Sequence, residues 1–174
     1  AQKANDETIK KLKQHYADVK LGIGAHKSPK EYGSFPFDPY SHTPMMAGVQ
    51  QPGMTGQVKE DIISRFMELG IEVQNAQLTI KTDMLNKQEF IQPTNKIQHP
   101  YLTFTYCSIP FIYSIDGQKG IEIIYQNGNS EKITEYTLSE EKSLKIFNRD
   151  KNIQKVIIHF NDFNKIENLL IEKK

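Results

Sequence analysis

The sequence has one cysteine, no tryptophan and no clear excess of charge of either sign. Cys107 alone cannot form an internal disulfide or a multi-cysteine zinc site, so neither kind of cross-link is expected to stabilise the fold. Lys and Arg number 22, against 21 Asp and Glu. Proteins that bind nucleic acid normally carry a clear basic excess that neutralises phosphates. The near balance therefore argues against a nucleic-acid partner.

Long hydrophobic runs are absent as well. No stretch approaches the roughly 18 uninterrupted apolar residues of a membrane span, and the first seven residues lack the apolar core of a signal peptide. We therefore expect no membrane span in this segment, and a cytoplasmic and a periplasmic location both stay open. The chain begins on a helix-like segment without methionine, which suggests a processed chain or the tail of something longer.

The 174 residues, 37% of them hydrophobic, suffice for one ordinary domain or two very small ones. Over the first 70 residues, two stretches carry apolar residues at helical spacing. The first runs from Asn5, a candidate N-cap, to Lys20, and glycines at 22 and 24 end it. The second opens at Thr55 and ends at Gly70. The front of the chain is therefore predicted to be helical.

Beyond Gly70 the chain changes to β-branched and aromatic runs separated by turn signals such as Asn127-Gly128. Six runs are predicted as strands: Leu78 to Ile80, Tyr101 to Cys107, Ile121 to Tyr125, Ile133 to Leu138, Ser143 to Phe147, and Ile153 to Phe160. Asp162 to Glu172 is predicted as a terminal helix. The expected fold is α+β, with a helical, loop-rich segment over 1–70 and an antiparallel, sandwich-like β-domain with a C-terminal helix over 71–174.

Between the two front helices lies a stretch with no period, Ile23 to Gly53, that contains five prolines. Loops of this length are more often functional or linker segments than simple connections. The loop concentrates aromatic, carboxylate, imidazole and amide groups, the mixture that a sugar site needs. Asp38, Tyr40, His42 and Gln51 are the candidate substrate ligands. Alternatively, the aromatic residues only hold the loop to the surface, and Asp38 only forms a turn.

Other chemistries are poorly supported by the side chains present. Asp38 and His42 are too few for a closed metal site, so neither a metal nor a cofactor is expected. Ser41 and His42 lack the strand-turn-helix elbow of a serine hydrolase. The five histidines form no ligand motif, and His159 in the last strand is expected to be structural. The catalytic residues of any enzyme are not identified by this sequence.

Thr55 and Gly56 stand where the second helix is predicted to begin. Free backbone N–H groups and the helix dipole make such a place an anion site, and the threonine hydroxyl adds a donor. A phosphate or a sugar oxyanion would fit. The alternative is an ordinary N-cap, since threonine and glycine are common there.

The stretch from Met54 through Thr55-Gly56 and Leu69-Gly70 to Ile80 resembles the last barrel helix and following strand of cellobiose-phosphorylase-like enzymes. This family consists of six-hairpin α/α toroids with a β-sandwich. The resemblance implies that Thr55 and Gly56 contribute to the phosphate or active-site pocket. It also implies that most of the toroid, with the general acid, lies outside these residues, so that this segment alone is inactive. Gln57-Val58-Lys59 and the missing tryptophans depart from the family pattern, which leaves phosphate use open.

Two functional hypotheses follow. The first is the C-terminal segment of a glycoside hydrolase or phosphorylase-like enzyme, acting on an oligosaccharide or sugar phosphate and completed by an N-terminal toroid. The second is a non-enzymatic β-sandwich module that binds glycan or protein. An enzyme site predicts that Asp38, Tyr40, His42 and Gln51 converge, whereas a module predicts aromatic rings exposed on the sheet face.

Overall fold

The computed structural model describes residues 5–22, 55–94 and 97–162, without the side chains of 18–22 and 55–61. The chain divides into two units, 1–65 with 169–174, and 66–168. The helices are α1 (Asp6–Gly22), α2 (Thr55–Glu68) and α3 (Glu140–Phe147). The strands are β1 (Ile71–Gln74), β2 (Gln77–Ile80), β3 (Tyr101–Tyr106), β4 (Ile109–Ser114), β5 (Gly120–Tyr125), β6 (Ser130–Ile133) and β7 (Ile153–His159). The expected α+β class is confirmed.

The first helix begins as the sequence predicts. The Asn5 carboxamide oxygen accepts a hydrogen bond from the Thr8 backbone N–H at 2.8 Å, and the Asn5 carbonyl accepts one from Ile9. These bonds satisfy donors that a helix start leaves free. Glu7 and Lys11 form an ion pair one turn apart at 2.7 Å. Asn5 is therefore the N-cap of α1.

The second helix ends at the predicted glycine. Gly70 has a φ of +74° and donates its N–H to the Met67 carbonyl at 2.9 Å. A side chain there would collide with the Lys81 carbonyl oxygen, so only glycine fits this turn. Just before it, the Leu69 carbonyl accepts a hydrogen bond from the buried Tyr113 hydroxyl at 2.5 Å. The end of α2 is thus fixed to β4.

A two-stranded hairpin follows directly. β1 and β2 pair antiparallel, and the turn between them places Asn75 and Ala76 at positive φ, as tight hairpins with right-handed twist require. β1 was not among the predicted strands, because its sequence Ile-Glu-Val-Gln is short and only half apolar.

The main sheet has five strands in the order β3-β4-β7-β5-β6. All neighbours are antiparallel except β4 and β7, which run parallel. The expected antiparallel arrangement therefore holds for every neighbouring pair except β4 and β7. β6 and β7 both run antiparallel to β5 on its two sides, and α3 connects them, which forms a split βαβ unit. The crossover through α3 explains the parallel pair, because it returns the chain so that β7 lies between β4 and β5 and runs in the same direction as β4.

Two of the predicted strands differ from the structure. Ser143 to Phe147 lies in α3 and is not a strand. Ser139 caps this helix by accepting a hydrogen bond from the Lys142 N–H, and two glutamates follow in the first turn. Ile133 to Leu138 contributes only its first residue to β6, and β4 was not predicted separately. Short apolar runs do not distinguish strands from helices by periodicity alone.

The hydrophobic core lies on one face of the five-stranded sheet. All seven residues expected to share a core face either belong to this core or pack against it: Leu102, Phe104, Tyr106, Ile121, Ile123, Val156 and Ile158. Leu78 and Ile80 of the hairpin and Ile146 of α3 belong to the same cluster. The hairpin and α3 therefore cover this face. The predicted terminal helix over 162–172 lies outside the described residues except for Asp162.

Candidate functional site

The candidate loop residues Asp38, Tyr40, His42 and Gln51 lie outside the described part of the chain. α2 has Thr55 as its first residue, while the Thr55 side chain is not described, and Gly56 follows in the first turn. The shared ligand site therefore stays a prediction.

The described residues contain a different group of functional side chains, on the sheet face opposite the core. His159 ends β7 and is paired in register with Ser114 of β4 and with Gly120 of β5. Cross-strand partners point to the same face, and residues two apart on one strand share a face. Glu122, two residues after Gly120, therefore lies on the same face as His159. Together with Asp116, from the turn after β4, these residues form the His159 cluster (Asp116, Glu122 and His159).

Asp116 makes the closest contact of the cluster. Its Oδ2 lies 2.6 Å from His159 Nδ1, and its Oδ1 accepts a hydrogen bond from the Gln118 backbone N–H at 3.1 Å. Burial alone would raise the pKa of Asp116. Hydrogen bonds from His159, Gln118 and Ser114, with the charge of the imidazole, outweigh burial and hold this pKa below its ordinary value. Asp116 is therefore a carboxylate at neutral pH.

Glu122 lies on the other side of the imidazole ring. Its Oε2 is 3.4 Å from His159 Nε2, and its Cα partner on β6 is Lys132. The Ser130 hydroxyl, the Lys132 charge and His159 together lower the pKa of Glu122 against an opposing effect of burial. Glu122 is therefore also ionised at neutral pH. The imidazole stands between two carboxylates.

The backbone around His159 is fixed from several sides. The Tyr136 hydroxyl donates to the His159 carbonyl at 2.9 Å, and the next residue, Phe160, donates its N–H to the Ser114 carbonyl at 2.8 Å. The Gly117 N–H donates to the Phe160 carbonyl at 3.3 Å. These bonds tie the end of β7 to the turn that carries Asp116. The cluster is thus held by regular sheet structure and one short turn.

One polar atom of the cluster has no hydrogen-bond partner. His159 Nε2 is buried and makes no hydrogen bond, although the His159 residue is only 9% exposed. A buried polar atom without a partner is uncommon and costs free energy. The His159 cluster is therefore the strongest candidate for a ligand site among the described residues.

The arrangement restricts which chemistry the cluster supports. A glycosidase needs two carboxyl groups that flank one scissile bond, whereas here an imidazole occupies the space between Asp116 and Glu122. No group of three or more His, Cys, Asp or Glu side chains among the described residues surrounds a common metal position. The cluster fits the holding of a positive charge better than acid/base catalysis on a sugar.

The apolar alternation of the sequence predicts His159 in the last strand but does not identify its two partners. Asp116 and Glu122 are 43 and 37 positions away along the chain, and the registers of β7 with β4 and with β5 bring them together. The available signal was the alternation of β5, which puts Glu122 between two core isoleucines and hence on the other face. Without the strand order, that signal does not identify the residue that Glu122 contacts.

No protein-family model matches this sequence, and comparison with curated proteins finds no significant match. In the part of the chain that the structure describes, no helix has the length and apolar character needed to cross a bilayer.

Proposed function

We propose that this chain is the C-terminal segment of a carbohydrate-active enzyme of the glycoside hydrolase or phosphorylase type. In this proposal, α1 and α2 are the closing helices of an α/α toroid, and the loop from Gly33 to Gly53 faces the substrate. Asp38, Tyr40, His42 and Gln51 bind sugar hydroxyls, and Thr55 with Gly56 binds a phosphate or sugar oxygen at the start of α2. The unit over residues 66–168 (the β-rich unit) is the supporting, sandwich-like β-domain of this enzyme.

The observation that carries the proposal is the exposure of apolar residues on both front helices. In α1, Ile9 is 39% exposed and Leu12 is 59% exposed. In α2, Ile62, Ile63 and Met67 are 51%, 70% and 47% exposed. An amphipathic helix is stable in water when its apolar stripe packs against another layer. Helices that close a toroid have such a layer in the rest of the toroid.

The proposal predicts that the apolar stripes matter only in the natural full-length protein. Ile63→Asp should lower the melting temperature of that protein by several degrees, because a carboxylate would enter a helix–helix contact. The same change in the 174-residue chain should have little effect. Equal tolerance in both proteins would show that α2 has no helical partner and would refute the toroid assignment.

Activity provides the second test. The full-length protein should cleave an oligosaccharide, and a dependence on inorganic phosphate would separate phosphorolysis from hydrolysis. Asp38→Asn and Thr55→Val should each reduce kcat/KM at least tenfold, which corresponds to a lost ligand hydrogen bond of about 1.4 kcal/mol or more. Asp83→Asn, a matched change outside the loop, should leave kcat/KM unchanged. If Asp38→Asn and Thr55→Val both matched the wild type, the loop and the start of α2 would not form the substrate site.

A second candidate is a non-enzymatic binding module, which the His159 cluster on the sheet face opposite the core favours. The aromatic rings do not favour a module that stacks on sugars, because Phe104, Phe111 and Tyr113 pack against one another on the core side. Tyr101 is the aromatic residue of β3 on the opposite face, and it is half-buried. Such a module would therefore bind through charged groups. Specific glycan binding by the 174-residue chain, lost in His159→Asn, would support the module over the enzyme.

A further inference from the structure

The His159 cluster has a feature that neither proposed function uses. A single imidazole stands between two carboxylates at the end of β7, with Nδ1 2.6 Å from Asp116 Oδ2 and Nε2 3.4 Å from Glu122 Oε2. We propose that His159 is a pH-sensitive switch. In its protonated form, it fixes the end of β7 to the turn after β4, residues 115–119, and in its neutral form it loosens this junction. The switch is independent of the carbohydrate proposal.

Burial makes the charge of the imidazole important. The side chains of His159, Asp116 and Glu122 are 11%, 9% and 15% exposed. Two carboxylates on either side of one ring repel each other, and water screens this repulsion poorly when the groups are buried. A protonated imidazole offsets the repulsion. It donates a charge-assisted hydrogen bond to Asp116, whereas its attraction to Glu122 at 3.4 Å is that of an ion pair without a hydrogen bond.

The other charged and titratable groups near the ring come from several elements. Asp116 lies in the turn, Glu122 on β5, and Lys132 is the Cα partner of Glu122 on β6. The Tyr136 hydroxyl donates to the His159 carbonyl, and Lys119 of the turn lies over the Tyr136 ring. Burial raises the pKa of Tyr136, so its hydroxyl keeps its proton at neutral pH. Lysine side chains ordinarily titrate far above neutral pH as well.

The two carboxylates keep their charge over the range in which histidine titrates, between about pH 5 and pH 8. The pKa values of Asp116 and Glu122 lie below their ordinary values, which are themselves about 4. Within the cluster, His159 is therefore the group that changes charge in this range. The imidazole charge favours the ionised form of both carboxyl groups, and the attraction is mutual.

The direction of the effect follows from these partners. The imidazolium interacts with two anions in the folded protein, so its contribution to stability is present at the acid end of the range and is lost as the pH rises. A neutral ring that keeps its proton on Nδ1 still donates to Asp116. Its Nε2 lone pair then faces the anionic Glu122 Oε2 without a hydrogen bond. The junction is therefore expected to loosen at the alkaline end.

Asp116 connects the ring to the backbone of the junction. Its Oδ2 contacts the imidazole, while its Oδ1 accepts a hydrogen bond from the Gln118 N–H at 3.1 Å. The next residue, Gly117, donates its N–H to the Phe160 carbonyl at 3.3 Å, and the Phe160 N–H donates to the Ser114 carbonyl at 2.8 Å. A weaker hold on Asp116 therefore acts first on these two backbone hydrogen bonds.

The test is amide hydrogen exchange of the 174-residue chain at about pH 5 and about pH 8, with ¹⁵N NMR of the ring nitrogens to follow the proton of His159. Protection factors remove the intrinsic pH dependence of exchange. We expect protection of the Gly117 and Phe160 amides to fall about tenfold at the alkaline end, since a charge-assisted hydrogen bond becomes a neutral one. The Leu138 amide, bonded to the Leu78 carbonyl, is the internal control and should keep its protection.

Three variants separate the charge of the ring from its shape. His159→Asn keeps an amide donor for Asp116 but carries no charge, so protection at Gly117 and Phe160 should be low at both pH values. Glu122→Gln should reduce the pH dependence, and it keeps the test valid if His159→Asn does not fold. Glu131→Gln, a matched change on the other face of the sheet, should retain the full pH dependence.

Two results would overturn the proposal. The first is a His159 ring whose ¹⁵N resonances show the same protonation state at both pH values. The second is protection at Gly117 and Phe160 that does not change with pH in the wild type, or that changes equally in the wild type and in Glu122→Gln. In either case the cluster would be a structural contact without a switching role.

Discussion

The β-rich unit and the first helix both carry regularly spaced apolar residues, but these residues are buried in the unit and exposed in the helix. In the sheet, Ile121, Ile123 and Ile158 repeat at strand spacing and are no more than 2% exposed. In α1, Ile9 and Leu12 repeat at helical spacing but stay exposed. A period in the sequence therefore identifies an element in both regions, whereas of these five residues only those of the sheet are buried. Stability of the β-rich unit should depend on its own residues.

The largest test of this contrast replaces one isoleucine in each region by aspartate. Ile158→Asp should prevent the β-rich unit from folding, because a fully buried carboxylate without a partner costs several kcal/mol. Ile63→Asp in the same 174-residue chain should change the free energy of unfolding by less than about 1 kcal/mol, because Ile63 is 70% exposed. Urea denaturation followed by circular dichroism measures both. A soluble Ile158→Asp variant that melts cooperatively would contradict the core assignment.

A second test concerns two glycines of the β-rich unit. Gly120 has a φ of +118°, and a side chain there would collide with the Ile133 carbonyl oxygen. Gly128 has a φ of +83° in the β5–β6 turn, with nothing within 4 Å of an added Cβ. We expect Gly120→Ala to cost about 3 kcal/mol or more, and Gly128→Ala about 1 kcal/mol from backbone strain alone. Similar melting temperatures for the two variants would show that the sheet adjusts at Gly120.

The two glycines also show what a sequence predicts and what it does not. Asn127-Gly128 is a recognisable hairpin signal, and the turn was predicted. The sequence around Gly120 does not indicate that the Ile133 carbonyl lies close to it, because that contact depends on strand pairing. The core residues of β3, β5 and β7 were predicted from alternation, while the parallel pairing of β4 and β7 depends on where the crossover through α3 returns.

The same limit applies to the His159 cluster. Without the strand order β4-β7-β5, nothing in the sequence distinguishes Asp116, Glu122 and His159 from other residues of a turn and two strands. The residue pattern of the sequence therefore favours the loop, where Asp38, Tyr40, His42 and Gln51 are close along the chain. Local density of functional groups can be seen in a sequence. A site assembled across a sheet becomes visible only with the register.

A third test concerns the attachment of the hairpin to α3. The Ser143 hydroxyl, fully buried, accepts a hydrogen bond from the Leu78 N–H at 2.9 Å and donates one to the Ser139 carbonyl at 2.8 Å. Ser143→Ala should cost about 1–3 kcal/mol, because the Leu78 N–H would stay buried without a partner. Hydrogen exchange at Leu78 should accelerate accordingly. Leu144→Ala on the exposed side of α3 is the control and should leave exchange at Leu78 unchanged; unaltered exchange in Ser143→Ala would disprove the link.

The smallest test uses an ion pair that joins β6 to α3. Glu131 lies 2.7 Å from Lys142 Nζ and accepts a hydrogen bond from the Tyr125 hydroxyl at 3.2 Å. The bond from Lys142 is the main reason why the pKa of Glu131 is lowered, with burial opposing it. A carboxyl whose pKa is lower in the folded state stabilises the fold above its unfolded pKa, near 4.3, and loses that contribution as the pH falls through the folded value.

Glu131→Gln should therefore reduce stability at pH 7 and have almost no effect near pH 3. The Glu131 side chain is 41% exposed, so solvent screening limits the expected loss to about 0.5 kcal/mol. Urea denaturation at the two pH values, in a double-mutant cycle with Lys142→Gln, isolates the pair. If Glu131→Gln destabilised the protein equally at pH 3 and pH 7, the pair would contribute nothing through charge. The hydrogen bond from Tyr125 would then be its main link to the rest of the β-rich unit.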